Sequence, residues 1–307
     1  MTLHDQPALL RQSQETSPPA ILWLGVHKTG TTFLQGCLEA SRPAIEAQDI
    51  DYMPLEDFRS ACTRPLLDRP GQAPARPARH PSGAARQRLV FDENILGLVQ
   101  DVCTPQGLYP QGAWRADEVA DRLGLAAPHL VLGLRSFGGF LPSLYCETLK
   151  STPFRTFRDF LRCPTERVSW LPLVAGLLRA FPVSPLTIYT AEALRGHEAG
   201  LLSHLLGLPE TAIALPQEAE RPGFSQRAVE AMEAAQAREP IGPGEAKRLA
   251  AAHPRGPQAP GFDPWSPAER RALQSRWQAD IETLRGWSRV RLIDPAGPAL
   301  VRDRPAP

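Results

Sequence analysis

Four short apolar runs punctuate the chain, at Ile21–Val26, Leu89–Phe91, His129–Leu134 and Leu186–Tyr189. Each is too short and too uniformly apolar for an amphipathic helix, and each suits a parallel strand buried on both faces. Helical spacing follows three of them. Phe33, Leu34, Cys37 and Leu38 recur at helical intervals after the first run, with Thr31 and Thr32 at the opening of the helix. A helical stretch from about Pro142 to Lys150 follows the third, after a Gly138-Gly139 turn. Leucines 201, 202, 205, 206 and 208 follow the fourth, with Gly207 as the stop. Near the end of the chain, Leu273, Trp277, Ile281 and Leu284 line one face of a charged helix that Ser266 caps and Pro267 begins. This alternation predicts a single α/β domain over about residues 20–295 with a central, mostly parallel sheet. Residues 1–19 and 296–307 read as a flexible leader and tail.

The first run leads into unusual chemistry. Gly25 and Gly30 let the backbone turn tightly, so that the amides of residues 28–32 can converge on an anion at the positive end of the helix that follows. Lys28 supplies a mobile cation, and Thr31 and Thr32 supply hydroxyls. A nucleoside-triphosphate loop reads GxxxxGK[ST]; residues 25–32 read GVHKTGTT, with the lysine displaced to position 28. That displacement argues against ATP.

Two other runs deliver polar residues to the same end of the sheet. Asp92, Glu93 and Asn94 follow Leu89–Phe91, where open parallel sheets place their ligands. Asp92 or Asn94 also suits the cap of a following helix, with Glu93 favouring its positive end. Arg135 follows His129–Leu134, and Ser143 stands eight positions on. A guanidinium forks onto phosphate oxygens, and a hydroxyl near a helix start adds a neutral donor.

The string HKTGTTFLQ at residues 27–35, with Arg135, Ser143 and the DEN stretch, resembles the sulfotransferases that use 3'-phosphoadenosine 5'-phosphosulfate (PAPS), in their bacterial carbohydrate-type branch. The resemblance implies the three-layer fold of the P-loop-containing nucleoside triphosphate hydrolases. It also implies a PAPS site made by Lys28, Thr29, Gly30, Thr31 and Thr32 at the 5'-phosphosulfate, and by Arg135 and Ser143 at the 3'-phosphate. Lys28 is then catalytic. Glu93 is the first candidate for general base and His27 the second, because an unperturbed imidazole accepts a proton near neutral pH. Glu192 would be a structural acid. The acceptor would be a hydroxyl or amine on a carbohydrate or glycolipid, and no metal is required. RSFGGFLPS departs from the proline-containing turn usual after the arginine. The alternatives are an ATP-dependent phosphotransferase, with Asp92 for its magnesium, and a non-catalytic nucleotide-binding protein of the same fold.

A net charge of +1 leaves no global footprint for nucleic acid. The five cysteines form no CxxC pair and read as reduced thiols. No stretch reaches 18 apolar residues and the first 20 hold no signal-peptide core, so the expectation is a cytoplasmic protein that does not span a membrane. Between residues 64 and 88 six arginines and five prolines face one acid, which predicts an irregular surface loop. Oligomeric state and acceptor identity leave no signature.

Overall fold

A computed structural model describes residues 19–68, 86–216 and 223–295. Most of the proline- and arginine-rich segment, the leader and the tail lie outside these residues.

The core is a six-stranded sheet of β1 (Ala20–Trp23), β2 (Ile50–Tyr52), β3 (Gln87–Phe91), β4 (His129–Leu134), β5 (Leu186–Thr190) and β6 (Val290–Leu292). They lie in the order β2-β3-β1-β4-β5-β6, and every neighbouring pair is parallel. The four predicted strands are all present. β2 and β6, short edge strands of three residues each, escaped the sequence reading because three residues carry too little pattern.

Successive residues of the central strands feed opposite sides of the sheet. Leu22, Val90, Leu130, Leu132 and Ile188 join one apolar cluster, whereas Ile21, Trp23, Leu89, Phe91, Val131 and Tyr189 join the other. Helices flank both. α1 (Thr31–Ala40) and α5 (Glu198–Leu206) cover the second face. The first is covered by α2 (Gly112–Leu123), α3 (Phe137–Thr148), α4 (Leu171–Ala180), α6 (Gln226–Gln236), α7 (Pro243–Ala252) and α8 (Pro267–Arg285). Gly207 closes α5 in the left-handed conformation, and Ser266 with Glu269 forms a full capping box on α8. Among the described residues no helix is long and apolar enough to cross a membrane. All five cysteines are free and buried.

Two expectations need correction. α3 starts at Phe137 and takes the two glycines into its first turn, so Pro142 sits inside the helix. Proline cannot donate to the carbonyl four residues back, which is that of Gly138. The Trp265 indole takes its place, with Nε1 donating to Gly138 O at 2.9 Å. The start of the proline- and arginine-rich segment is also helical. Leu55–Phe58, a π turn at Arg59–Thr63 and Arg64–Asp68 run in succession, and the widened turn comes just before Pro65, which has no N–H to donate.

Candidate functional site

Because the strands are parallel, their carboxyl ends share one rim. The connections leaving β1 and β4 run to opposite sides of the sheet, so the crevice between their carboxyl ends is a topological switch point. Lys28 and Arg135 follow those two strands and meet there. Arg135 Nη1 donates to Lys28 O at 2.9 Å.

Three residues of the loop, Gly25, Lys28 and Gly30, have φ of 56°, 66° and 88°. A lysine in the left-handed region is strained by about 1–2 kcal/mol, and such strain gathers where a loop must present its amides. Gly25 leaves little room for a side chain, since a Cβ there would lie 3.2 Å from both Glu93 Cα and Thr31 Cγ2. Beneath the loop, Gly133 of β4 permits close approach, because a Cβ there would meet Thr29 Oγ1 at 2.9 Å. Thr29 is buried and its hydroxyl donates to Val26 O at 2.6 Å, so it braces the loop from within. Thr31 is buried too, which leaves Thr32 as the accessible hydroxyl. The amino end of α1 has neither a side-chain cap nor an acid in its first turn, so its free amides and positive dipole end face the crevice unopposed.

The Lys28 ammonium is engaged. Nζ lies 2.9 Å from Glu147 Oε2 on α3, and Lys150 Nζ reaches the same oxygen at 2.9 Å. Burial alone would raise the Glu147 carboxyl, but Lys28 and then Lys150 override it and bring its pKa down to about 2. Ser143 is half-buried one turn before Glu147, and among the described residues no hydrogen bond joins it to Arg135.

Arg135 gathers positive charge around itself. Burial lowers its pKa; Glu192 opposes the shift, and nearby Arg195 and Arg255 add to it. A guanidinium starts so far above neutrality that it stays charged. Glu192 accepts from Ser136 N at 3.0 Å, ahead of α3.

On the other side of the crevice, the acids after β3 are held tightly. Asp92 is fully buried and accepts from Arg59 Nη2 at 2.9 Å, from Thr63 at 2.8 Å and from Asn94 N at 3.1 Å. Burial nevertheless raises its pKa above the ordinary value, with the neighbouring Glu93 adding to the shift and Arg59 and Thr63 opposing it. Asp92 thus caps the 3-10 turn Glu93–Ile95. Glu93 accepts from Arg59 Nη2 at 3.1 Å and from Gln35 Nε2 at 2.8 Å. A carboxylate has about four acceptor positions, so two remain.

His27 is buried and its protons can be placed. Its own backbone N–H donates to Tyr109 Oη at 3.0 Å, and Nδ1 lies 2.9 Å from the same oxygen. Nε2 faces Asn94 Oδ1 at 3.3 Å, so with the amide so oriented Nε2 carries the proton and Tyr109 donates to Nδ1. Burial holds the imidazole below its ordinary pKa, against the upward pull of Glu93 and Asn94. Its lone pair is therefore taken up by the Tyr109 hydroxyl.

The sequence reading missed Glu147, Tyr109, Arg59 and Gln35. Glu147 had one signal, its place four residues after Ser143 on the same helical face; the others reach the site only through tertiary packing. No protein-family model matches the chain, and no curated protein matches it.

Proposed function

We propose that this protein is a PAPS-dependent sulfotransferase with the P-loop type of three-layer fold, acting on a hydroxyl or amine of a carbohydrate or glycolipid. The observation that carries the reading is the loop at the switch point, with three left-handed residues, an uncapped helix start, Lys28 beside it and Arg135 tying it to the neighbouring strand. Such a loop suits a doubly charged 5' end, and Arg135, with Arg195 and Arg255 near it, suits a second phosphate. Ser143 remains the neutral donor of that pair by resemblance alone.

In this reading the sulfuryl group moves in line from the phosphosulfate to the acceptor oxygen or nitrogen. The S–O bond to the phosphate breaks as the new bond to sulfur forms, and adenosine 3',5'-bisphosphate leaves. The protein acts mainly by positioning and by stabilising charge. Lys28, Thr32, the loop amides and the α1 dipole offset charge on the departing phosphate oxygen. Glu93 takes the acceptor proton; His27 is the weaker candidate, because its lone pair is bonded to Tyr109. The ATP-dependent alternative loses ground at Asp92, the acid it needs for magnesium, which is fully buried against Arg59 and Thr63.

Calorimetric titration of adenosine 3',5'-bisphosphate, adenosine 5'-monophosphate and ATP with magnesium tests the reading. Preference for the bisphosphate is expected; binding of ATP alone would replace it with a phosphotransferase, and binding of none with a fold that does not use a nucleotide. Once an acceptor has been found by screening, Lys28→Ala is expected to lower turnover about a hundredfold, the cost of one preorganised charge-stabilising donor. Unchanged turnover would remove Lys28 from the chemistry.

A further inference from the structure

We infer that Glu147 is a built-in competitor for the anion at the loop: it holds Lys28 while the crevice is empty and gives it up when an anion binds. The inference rests on the proposed anion site, but its geometry is independent of which anion is used.

Lys28 is the one cation of the loop itself, and its ammonium is bonded to a carboxylate on another element, 119 positions along the chain. The pair is partly buried, with the two side chains 26% and 32% exposed, so neither partner is freely solvated. A phosphate or sulfate at the loop needs the same ammonium. Lys28 then has two destinations, and the affinity for the anion is reduced by the free energy of leaving Glu147.

Lys150 makes the exchange practicable. It shares Oε2 of Glu147 at 2.9 Å, and its ammonium lies 5.9 Å from the centre of the Phe224 ring. When Lys28 departs, Glu147 keeps a positive partner and is not left as an uncompensated, half-buried charge. While both lysines hold it, the Glu147 carboxyl lies at about 2, so the resting pair is ionised throughout the physiological range. Glu147 is thus a positioning residue acting through Lys28.

Two measurements test this. Reductive methylation of Lys28 without any anion, followed by peptide mass spectrometry, reads the pair itself. Lys28 is expected to react faster in Glu147→Gln than in the unaltered protein, and an equal rate overturns the inference. Calorimetric titration with adenosine 3',5'-bisphosphate and separately with inorganic sulfate reads the competition. Glu147→Gln is expected to bind about fivefold more tightly, the scale of a partly exposed ion pair. Glu93→Gln removes a charge close to the loop without touching Lys28; an equal gain there would mean general electrostatics and would overturn the specific role. A gain for sulfate with no bisphosphate binding in any variant keeps the role of Glu147 and rejects the PAPS reading. No gain for either anion, or no binding of either to any variant, overturns the inference.

Discussion

The two sides of the crevice treat their charges differently. After β3, Asp92 is fully enclosed and is bonded by Arg59, Thr63 and the amide of Asn94. Between β1 and α3, Lys28 and Glu147 form a pair with about a quarter to a third of each side chain still exposed. The first arrangement is enclosed and cannot rearrange without stranding a charge; the second can trade a partner for a ligand. A shared rim is thereby divided into a fixed wall and a responsive one. Reading charged residues along the sequence would not separate them, since each side carries both acids and bases.

The largest expected effect follows from breaking the fixed wall. Arg59→Met leaves Asp92 and part of Glu93 without their cation, and a buried pair broken on one side costs about 3–5 kcal/mol of stability. The corresponding Lys28→Met change on the responsive side is expected to cost less than about 1 kcal/mol, because that pair is partly solvated. Urea unfolding of both variants measures the contrast. Equal losses would abolish the distinction between the two sides.

A smaller effect, read in turnover and not in stability, separates Glu93 from His27. Glu93 belongs to the fixed wall but keeps acceptor capacity, whereas His27 directs its lone pair at Tyr109. With an acceptor in hand, Glu93→Gln is expected to lose about a hundredfold in turnover, the lower end for a general base, together with the acid limb of the pH–rate profile. His27→Gln is expected to keep that limb. If the limb is lost only in the His27 variant, the base has been assigned to the wrong residue.

Much of the architecture was legible because its signals are local. The apolar runs marked the four longest strands, and Gly207, Ser266 and Pro267 marked helix ends through chemistry that acts within a few residues. The loop was legible for the same reason. What stayed hidden depends on distant partners. The start of α3 was misread because a Gly-Gly pair before a proline looks like a turn, and Trp265, 127 positions away, is what satisfies the Gly138 carbonyl. Tyr109 joins the site through a contact 82 positions along the chain, and Glu147 through one of 119 positions, with its place four residues after Ser143 as the one local hint.

Acid titration of stability gives the finest test of the two walls, because their acids shift in opposite directions. Glu147 is held at about 2, below its ordinary 4.5, so its contribution to folding is complete above 4.5 and is lost as the pH falls from there towards 2. Asp92 is raised above its ordinary 3.8, so the folded state takes up its proton before the unfolded chain does, and acidification towards 3.8 offsets part of the cost of burying it. Unfolding in urea between pH 7 and pH 3 should therefore show Glu147→Gln losing less stability on acidification than the unaltered protein, and Asp92→Asn losing more. The slopes carry the information, since either variant can differ in absolute stability at pH 7. Parallel slopes for all three proteins would mean that the two carboxylates do not occupy the opposed environments on which the division into a fixed and a responsive wall depends.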